Sequence, residues 1–142
     1  GCQTGHDFYM WPVWHPDGTR IAFVAWDHPN MPWDGSTLYL AELDRSGPTP
    51  ALGATTALAG GPATAIFQPA FAPDGRHLAY VSDLDGWWQI YLYDLAAGTY
   101  RRLTEGAAEH GEPAWAQGMR TIAWGRDGKR LYAAETGTNH VA

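Results

Sequence analysis

The sequence predicts an all-β chain made of repeated four-stranded antiparallel units. Three observations support this fold class: a segment that opens on proline occurs three times, Asp-Gly pairs separate apolar runs, and no segment keeps a helical period of apolar residues. Asp and Gly accept the positive φ angles of tight turns, so each such pair is expected to join two antiparallel strands.

The repeat is clearest in its first two copies. The residues from Pro12 to Val24 return from Pro69 to Val81, and a degraded third copy starts at Pro113. In each copy an aromatic residue stands seven positions before an aliphatic one: Trp14 and Ile21, Phe71 and Leu78, Trp115 and Ile122. The copies start 57 and 44 positions apart, and the second spacing matches the ~40–50-residue period of propeller blades. The first spacing requires an insertion.

Further apolar runs supply the remaining strands of each unit. A third strand is expected at Thr37–Leu43 in the first copy and at Gln89–Leu95 in the second, where Thr99–Thr104 follows as a fourth. Ala51–Ala63 contains glycines and a proline that oppose a helix. We expect this segment to hold the short outer strand of the first unit and the link to the second.

The third copy is incomplete, with strands expected at 122–124 and 131–134 around a turn at Asp127-Gly128. Four antiparallel strands followed by a jump to the next copy make one blade of a β-propeller. We therefore expect a partial β-propeller of about two and a half four-stranded antiparallel blades, at about 8–60, 64–106 and 110–136. Because a propeller typically closes with four to eight blades, the chain is expected to be part of a larger ring.

Composition and charge exclude several classes of function. The net charge is −6 and the nine Lys and Arg residues are scattered, so no nucleic-acid partner is expected. No run approaches the ~20 apolar residues of a membrane span, so no membrane partner is expected either. Cys2 is the single cysteine and the six histidines lack ligand spacing, so we expect no cofactor and no metal. A lone cysteine fits a reducing compartment, which favours the cytoplasm, with the periplasm as the alternative.

Several motifs resemble one family of enzymes. The Pro-Asp-Gly turns with their apolar strands resemble TolB-type propeller repeats. More specifically, Ala25–Tyr39 and the pair Val81–Asp83 with Gly86–Trp88 resemble the propeller domain of bacterial prolyl oligopeptidase-family serine peptidases, the acylaminoacyl-peptidase or dipeptidyl-aminopeptidase-like group. Supporting motifs stand in the same order at Ile66–Pro69 and at Glu112–Trp115 with Gly118-Met119.

The resemblance implies partners that this chain does not contain. In that family the propeller lies over a C-terminal α/β-hydrolase domain, which carries the whole serine triad, and it restricts the access of peptides. The implied partners are therefore that hydrolase domain, the remaining blades of the parent chain and a peptide substrate. None of the three serines, Ser36, Ser46 and Ser82, has a glycine both two before and two after it, as a nucleophile elbow requires.

We therefore expect a non-catalytic segment of the substrate-gating propeller of a serine peptidase or related hydrolase. Whether the parent protein is an enzyme depends on sequence outside this chain. One alternative is a TolB-like propeller that binds a protein partner and has no hydrolase domain. A third hypothesis is a truncated segment with no independent activity.

The connection after the second strand is the candidate functional loop. It takes 16 positions from Phe23 to Tyr39, whereas the matching interval in the second copy takes 11. Long loops on a rigid scaffold often carry function, so the candidate substrate- or interface-facing residues are His28, Asn30, Trp33 and Asp34. The alternative is a loop that folds back on its blade, with Trp33 packed.

Three further side chains carry structural expectations. His15 stands just before Pro16, where the repeat otherwise has a small residue, and is expected to be a solvated turn residue. Trp87 and Trp88 are expected to fill space between neighbouring sheets, as large aromatics do in propellers.

Overall fold

A computed structural model of the chain describes residues 5–136, in which ten strands and no helix are found. Cys2 and His140 lie outside the described residues. The strands confirm the all-β prediction; they are β1 (Phe8–Trp14), β2 (Arg20–Trp26), β3 (Ser36–Asp44), β4 (Ala51–Gly61), β5 (Ile66–Phe71), β6 (His77–Ser82), β7 (Gln89–Asp94), β8 (Thr99–Arg102), β9 (Ile122–Trp124) and β10 (Leu131–Ala133). Within residues 5–136 no helix exists that could cross a membrane.

The strands form three antiparallel sheets. The first has the order β1-β2-β3-β4, the second β5-β6-β7-β8, and β9 pairs with β10 in the third. Each four-stranded sheet is a meander in chain order, as expected of a propeller blade. The chain is therefore a partial β-propeller with two complete four-stranded sheets and part of a third.

The three Asp-Gly turns are confirmed. Gly18, Gly75 and Gly128 have φ angles of 71°, 68° and 67°, in the region that glycine adopts without steric cost. Each glycine N–H donates to the carbonyl three residues earlier, at 2.8–3.0 Å. The aspartate before each glycine accepts the backbone N–H two residues further on, at 2.8–3.0 Å. These turns are therefore fixed by local hydrogen bonds, which is why the sequence predicts them.

One detail differs from the sequence-based expectation. β4 is not a short strand: its eleven residues pair with β3 along most of its length, with two irregularities. Its small residues permit this, since a Cβ at Gly60 would lie 2.1 Å from the carbonyl oxygen of Ser36. The third copy forms its second and third strands, β9 and β10, but residues 113–117 are not a strand.

The main core lies between the two four-stranded sheets, with β5 at its centre. β5 contacts β1, β2 and β3 of the first sheet and also β9. Val24 and Leu38 from the first sheet and Ile66, Phe67 and Val81 from the second are all at most 1% exposed. Each such side chain contributes about 1.5–3 kcal/mol by its burial. The side chains between the blades are therefore as buried as those in the interior of a single domain.

Each complete blade carries a bulge on its inner strand, directly before a proline. Trp11 and Gln68 have φ angles of 50° and 44°, and the pairing register shifts at each of them. The Trp11 ring packs on Phe67 of the second blade, with centroids 4.8 Å apart. The Gln68 amide donates to the Ile122 carbonyl at 2.6 Å and accepts the N–H of Ile122 at 2.9 Å. Each bulge thus directs a large side chain at the unit that follows it.

His15 is not solvated, so that expectation is wrong. It is only 6% exposed, its ring packs edge-on against Phe71 at 5.1 Å, and its Nε2 lies 2.7 Å from the Gly75 carbonyl oxygen. The turn of the second blade covers the turn of the first. That contact joins residues 60 positions apart, so no local pattern indicates it.

The two adjacent tryptophans behave differently. Trp88 is half-buried and packs against Phe67, with ring centroids 6.2 Å apart. Trp87 is 44% exposed, so the expectation that it fills space between sheets is wrong. Neighbouring residues beside a turn point to different sides, and here one of the two points outward.

Replacing Gly75 by alanine should destabilise the chain more than replacing Gly18. Alanine is strained by ~1–2 kcal/mol at either left-handed position. In addition, a Cβ at Gly75 would lie 2.8 Å from His15 Cε1, whereas one at Gly18 meets only the Arg45 guanidinium at 3.5 Å. We expect Gly75→Ala to lose about 1 kcal/mol more than Gly18→Ala in urea unfolding. Equal losses would contradict the position of His15.

Candidate functional site

The loop of residues 27–35, between β2 and β3, is held against its own blade. The Asn30 N–H donates to the Asp27 carbonyl at 3.0 Å, and Asn30 Nδ2 donates to the Pro62 carbonyl at 2.9 Å. The Asp34 carboxylate accepts the Met31 N–H at 2.9 Å, which closes the distal turn. Asn30 and Asp34, two of the predicted candidates, therefore fix the path of the loop.

A buried serine joins the end of this loop to the second blade. Ser36 is 2% exposed; its hydroxyl donates to the Pro32 carbonyl at 3.1 Å and accepts the Ile66 N–H at 2.9 Å. The neighbouring Gly35 has no room for a side chain, because a Cβ there would lie 2.3 Å from the Pro62 carbonyl oxygen. The loop thus begins and ends on rigid parts of the fold.

A polar network lies beside the start of the loop. His6 Nδ1 is 2.8 Å from Asp27 Oδ2, and His6 Nε2 is 2.8 Å from the Tyr39 hydroxyl. The Asp7 N–H donates to the other oxygen of Asp27 at 2.9 Å, and the His28 N–H donates to the Asp7 carboxylate at 3.1 Å. The Asp7 N–H first, and then His6, hold the pKa of Asp27 below its usual value. Asp27 is therefore a charged, oriented carboxylate.

This network borders an open cleft of about 360 Å³ at one end of the first blade. His28 and Asn30 line the cleft together with His6, Asp27 and Pro62. His28 is exposed, whereas Asn30 is half-buried. The structure therefore brings two of the four predicted residues to one polar cleft, and Trp33 and Asp34 do not line it.

Trp33 lies on a different side of the loop, against the third repeat. Its ring packs on Trp115 with centroids 4.5 Å apart and planes at 44°. Trp33 is half-buried and Trp115 is 71% exposed. The pair connects the first blade to the third repeat and leaves one aromatic face open to solvent.

The residues that sequence reasoning missed are His6, Asp27 and Tyr39. A signal for two of them exists in the hairpin. Because β1 and β2 pair with Phe8 opposite Trp26, the residues before Phe8 must lie beside those after Trp26. A register drawn outward from the Asp17-Gly18 turn, with the extra residue of the bulge at Trp11 taken into account, places Asp7 opposite Asp27 and His6 beside it.

Two of the three serines, Ser36 and Ser82, bond to backbone groups, and Ser46 bonds to a carboxylate. Ser36 joins the loop to β5, the Ser46 hydroxyl donates to Asp44 at 2.6 Å, and Ser82 accepts the Leu84 N–H at 3.3 Å. All three lie within residues 5–136, and none of them is hydrogen-bonded to a histidine there. The nucleophile of a serine triad needs an adjacent histidine base, and none of these three serines has one among residues 5–136. No group of three or more metal-ligating side chains occurs in the described part either.

Fold and site together define a propeller segment with a polar cleft at one end of its first blade. The model of the TolB beta propeller domain matches residues 2–141. The chain therefore belongs to the TolB β-propeller family.

Solved structures show which members of this family the chain resembles in both sequence and fold. A puromycin hydrolase is 39% identical and superposes with a TM-score of 0.75 over 84% of this chain and 17% of its own. A puromycin-hydrolyzing peptidase of Mycobacterium tuberculosis is 30% identical, with a TM-score of 0.82 over 92% of this chain and 19% of its own. The chain thus matches the propeller domains of prolyl oligopeptidase-family proteins, as its motifs predicted.

Relatives among known sequences include both kinds of propeller. The Tol-Pal system protein TolB 1 of Novosphingobium aromaticivorans is 37% identical over 81 residues, 57% of this chain and 16% of that protein. The uncharacterized peptidase YuxL of Bacillus subtilis is 30% identical over 107 residues, 73% of this chain and 15% of that protein. The chain spans about one sixth of the length of these relatives.

Replacing Ser36 by alanine should destabilise the chain, because the Ser36 hydroxyl has a structural role. The change leaves the buried N–H of Ile66 without its acceptor, which costs about 1–3 kcal/mol. Ser46→Ala is the matched control, because it removes an exposed hydroxyl and should change the free energy of unfolding by at most about 0.5 kcal/mol. Urea unfolding measures the loss of stability in each variant. Equal losses would contradict the hydrogen bonds by which Ser36 connects the loop to β5.

Proposed function

We propose that this chain is part of the propeller that restricts the access of peptides to the active site of a serine peptidase. The support is the similarity to puromycin-hydrolysing enzymes, at 39% and 30% identity over 84% and 92% of this chain. The three serines fit the same proposal, because in the described residues Ser36 and Ser82 bond to backbone groups and Ser46 bonds to the Asp44 carboxylate, and none of them is paired with a histidine. Under this proposal the triad belongs to an α/β-hydrolase domain of the parent protein.

The loop of residues 27–35 is the part of this chain that we propose to contact the substrate or the hydrolase domain. It is the long connection of the first blade. Its hydrogen bonds to Pro62 and Ser36 hold it in place at the edge of the blade, where we call it the rim. His28 offers an exposed imidazole, and the Trp33–Trp115 pair offers an apolar face. Such a combination suits contact with peptide groups, which carry both polar backbone and apolar side chains.

A protein-binding propeller without a hydrolase domain is the second candidate. It is supported by the 37% identity to TolB 1, although that match covers only 57% of this chain. The crystal structure of TolB from Acinetobacter baumannii is 22% identical with a TM-score of 0.53, which shows a shared fold alone. The peptidase proposal has more support because its matches cover more of the chain at higher structural similarity.

Labelling with a serine-reactive fluorophosphonate separates the two candidates. The chain of residues 1–142 should remain unlabelled, because none of its serines is hydrogen-bonded to a histidine base in the described residues. The parent protein from the same gene should label stoichiometrically at a serine outside these residues. A parent protein that does not label would support the binding module, and labelling at Ser36, Ser46 or Ser82 would contradict both.

The gating role predicts a change in size selectivity in the active, unlabelled parent protein. Trp33→Ala should change the ratio of kcat/KM values for a long peptide and a single aminoacyl amide by about threefold or more, since only the long substrate reaches the rim. Tyr132→Ala is the control, as Tyr132 is an exposed aromatic residue (57%) on β10. If both variants keep the original ratio, the rim does not contact substrate.

A further inference from the structure

A second cleft, of about 390 Å³, lies between the second blade and the third repeat. Leu92 and Leu103 of the second blade line one side, and Trp124 and Leu131 of the third repeat line the other. Leu131 pairs with Trp124 across the β9–β10 hairpin, so both side chains lie on the same face of it. The Trp124 indole N–H donates to the Ala70 carbonyl at 3.0 Å. Strand pairing and this hydrogen bond therefore hold the apolar walls of the cleft in place.

Three nitrogen-bearing side chains from separate elements line the same cleft. They are His77 at the start of β6, Arg101 on β8 and Lys129 after the third Asp-Gly turn. Arg101 pairs with Leu92, so its side chain lies on the face of the second blade that borders the cleft. Arg101 and Lys129 are exposed, and neither forms a salt bridge with another residue of the described range 5–136. Two cations therefore border the cleft without a paired carboxylate in that range.

The carboxylates near these cations are engaged elsewhere. Among residues 5–136, no acidic side chain lines the cleft. Asp74 and Asp94 each have one carboxylate oxygen 4.0 Å from His77, and Asp127 lies two positions before Lys129. Each of these three carboxylates accepts a backbone N–H of its own turn, at 2.8–3.0 Å. They stabilise the turns, and the described side chains that line the cleft are all basic or neutral.

We propose that this cleft binds a small carboxylate that carries an apolar body. Arg101 and Lys129 would bind the anionic group, and a guanidinium suits a carboxylate because it can donate two parallel N–H groups to it. The leucines and Trp124 would cover the apolar body. A few convergent polar groups above apolar walls are typical of small-molecule sites. The cleft borders the Asp-Gly turn at Gly128, whereas the loop of residues 27–35 lies at the opposite end of its blade from such a turn.

The site requires both parts of the ligand. An exposed charge pair alone binds weakly, because water and salt screen it. Burial of an apolar body against the two walls supplies the remaining affinity. A ligand with the anion but no apolar body should therefore bind about tenfold or more weakly, and so should one with the apolar body but no anion.

NMR titration of the full chain, labelled with ¹⁵N, tests the proposal with 4-phenylbutyrate as the probe. The reporter is the indole N–H of Trp124, identified by its loss in Trp124→Phe. This signal should shift and saturate with a Kd of about 1 mM or lower, as expected of a ligand of this size. Butyrate lacks the ring and 4-phenylbutylamine carries the opposite charge, so both should bind about tenfold or more weakly.

Substitutions of the two exposed cations assign the anion-binding groups. Arg101→Gln and Lys129→Gln should each weaken the binding of 4-phenylbutyrate by about fivefold or more, because each removes a charge-assisted hydrogen bond. Arg102→Gln is the matched control, since Arg102 is the next residue on β8 and donates to Asp85 at 2.9 Å. It should keep the original affinity. Unchanged signals of the other indole groups would show that each variant is folded.

Three outcomes would overturn the proposal. The first is the absence of a saturable shift up to about 20 mM probe, well above the expected Kd. The second is equal affinity for 4-phenylbutyrate and 4-phenylbutylamine, which would indicate an apolar contact without anion recognition. The third is unchanged affinity in both Arg101→Gln and Lys129→Gln, which would place the anion elsewhere.

Discussion

The burial of β5 between the first sheet and β9 is the contact on which the rest of the molecule depends. Ile66 and Phe67 lose nearly all their exposure to residues of the first blade and of their own. Without this strand, β1 to β4 would keep only the small second core around Phe23, Ala25 and Ala41. A two-layer arrangement needs one such shared surface, since a single sheet cannot bury both of its faces.

The packing of β5 against the first sheet also positions the candidate site. Ser36 bonds to the N–H of Ile66, the first residue of β5, and to Pro32 within the loop. The loop is therefore positioned by the interface between blades and not by its own sequence alone. On the opposite side of the blade, His15 and Gly75 meet at the turns. Each end of the first blade is thus connected to the second by a hydrogen bond. The bond at Ser36 joins two neutral groups, whereas the contact between His15 and Gly75 lies beside the charged carboxylate of Asp17.

The features that could be predicted from sequence are those with local causes. The Asp-Gly turns follow from glycine at positive φ and from aspartate that accepts the N–H two residues on. The strands beside them follow from apolar runs between turns. The family follows from motifs such as the long loop with Asn30 and Trp33, whose length alone distinguishes it from the second copy.

The features that could not be predicted depend on residues far apart in the chain. His15 meets Gly75 across 60 positions and Trp33 meets Trp115 across the open side of the fold. The His6–Asp27–Tyr39 network needs the register of three strands at once. For β4, the glycines that argue against a helix also allow close pairing with β3, and composition does not show how far that pairing extends.

The bulges at Trp11 and Gln68 both make contacts with the unit that follows them in the sequence. Each aims its side chain at the unit that is synthesised later: Trp11 at Phe67, and Gln68 at Ile122. A left-handed residue other than glycine is strained by roughly 1–3 kcal/mol, and here the contact that compensates for this strain is made by the following unit and not by the blade that contains the bulge. The stability of each blade therefore depends on the unit that comes after it in the sequence.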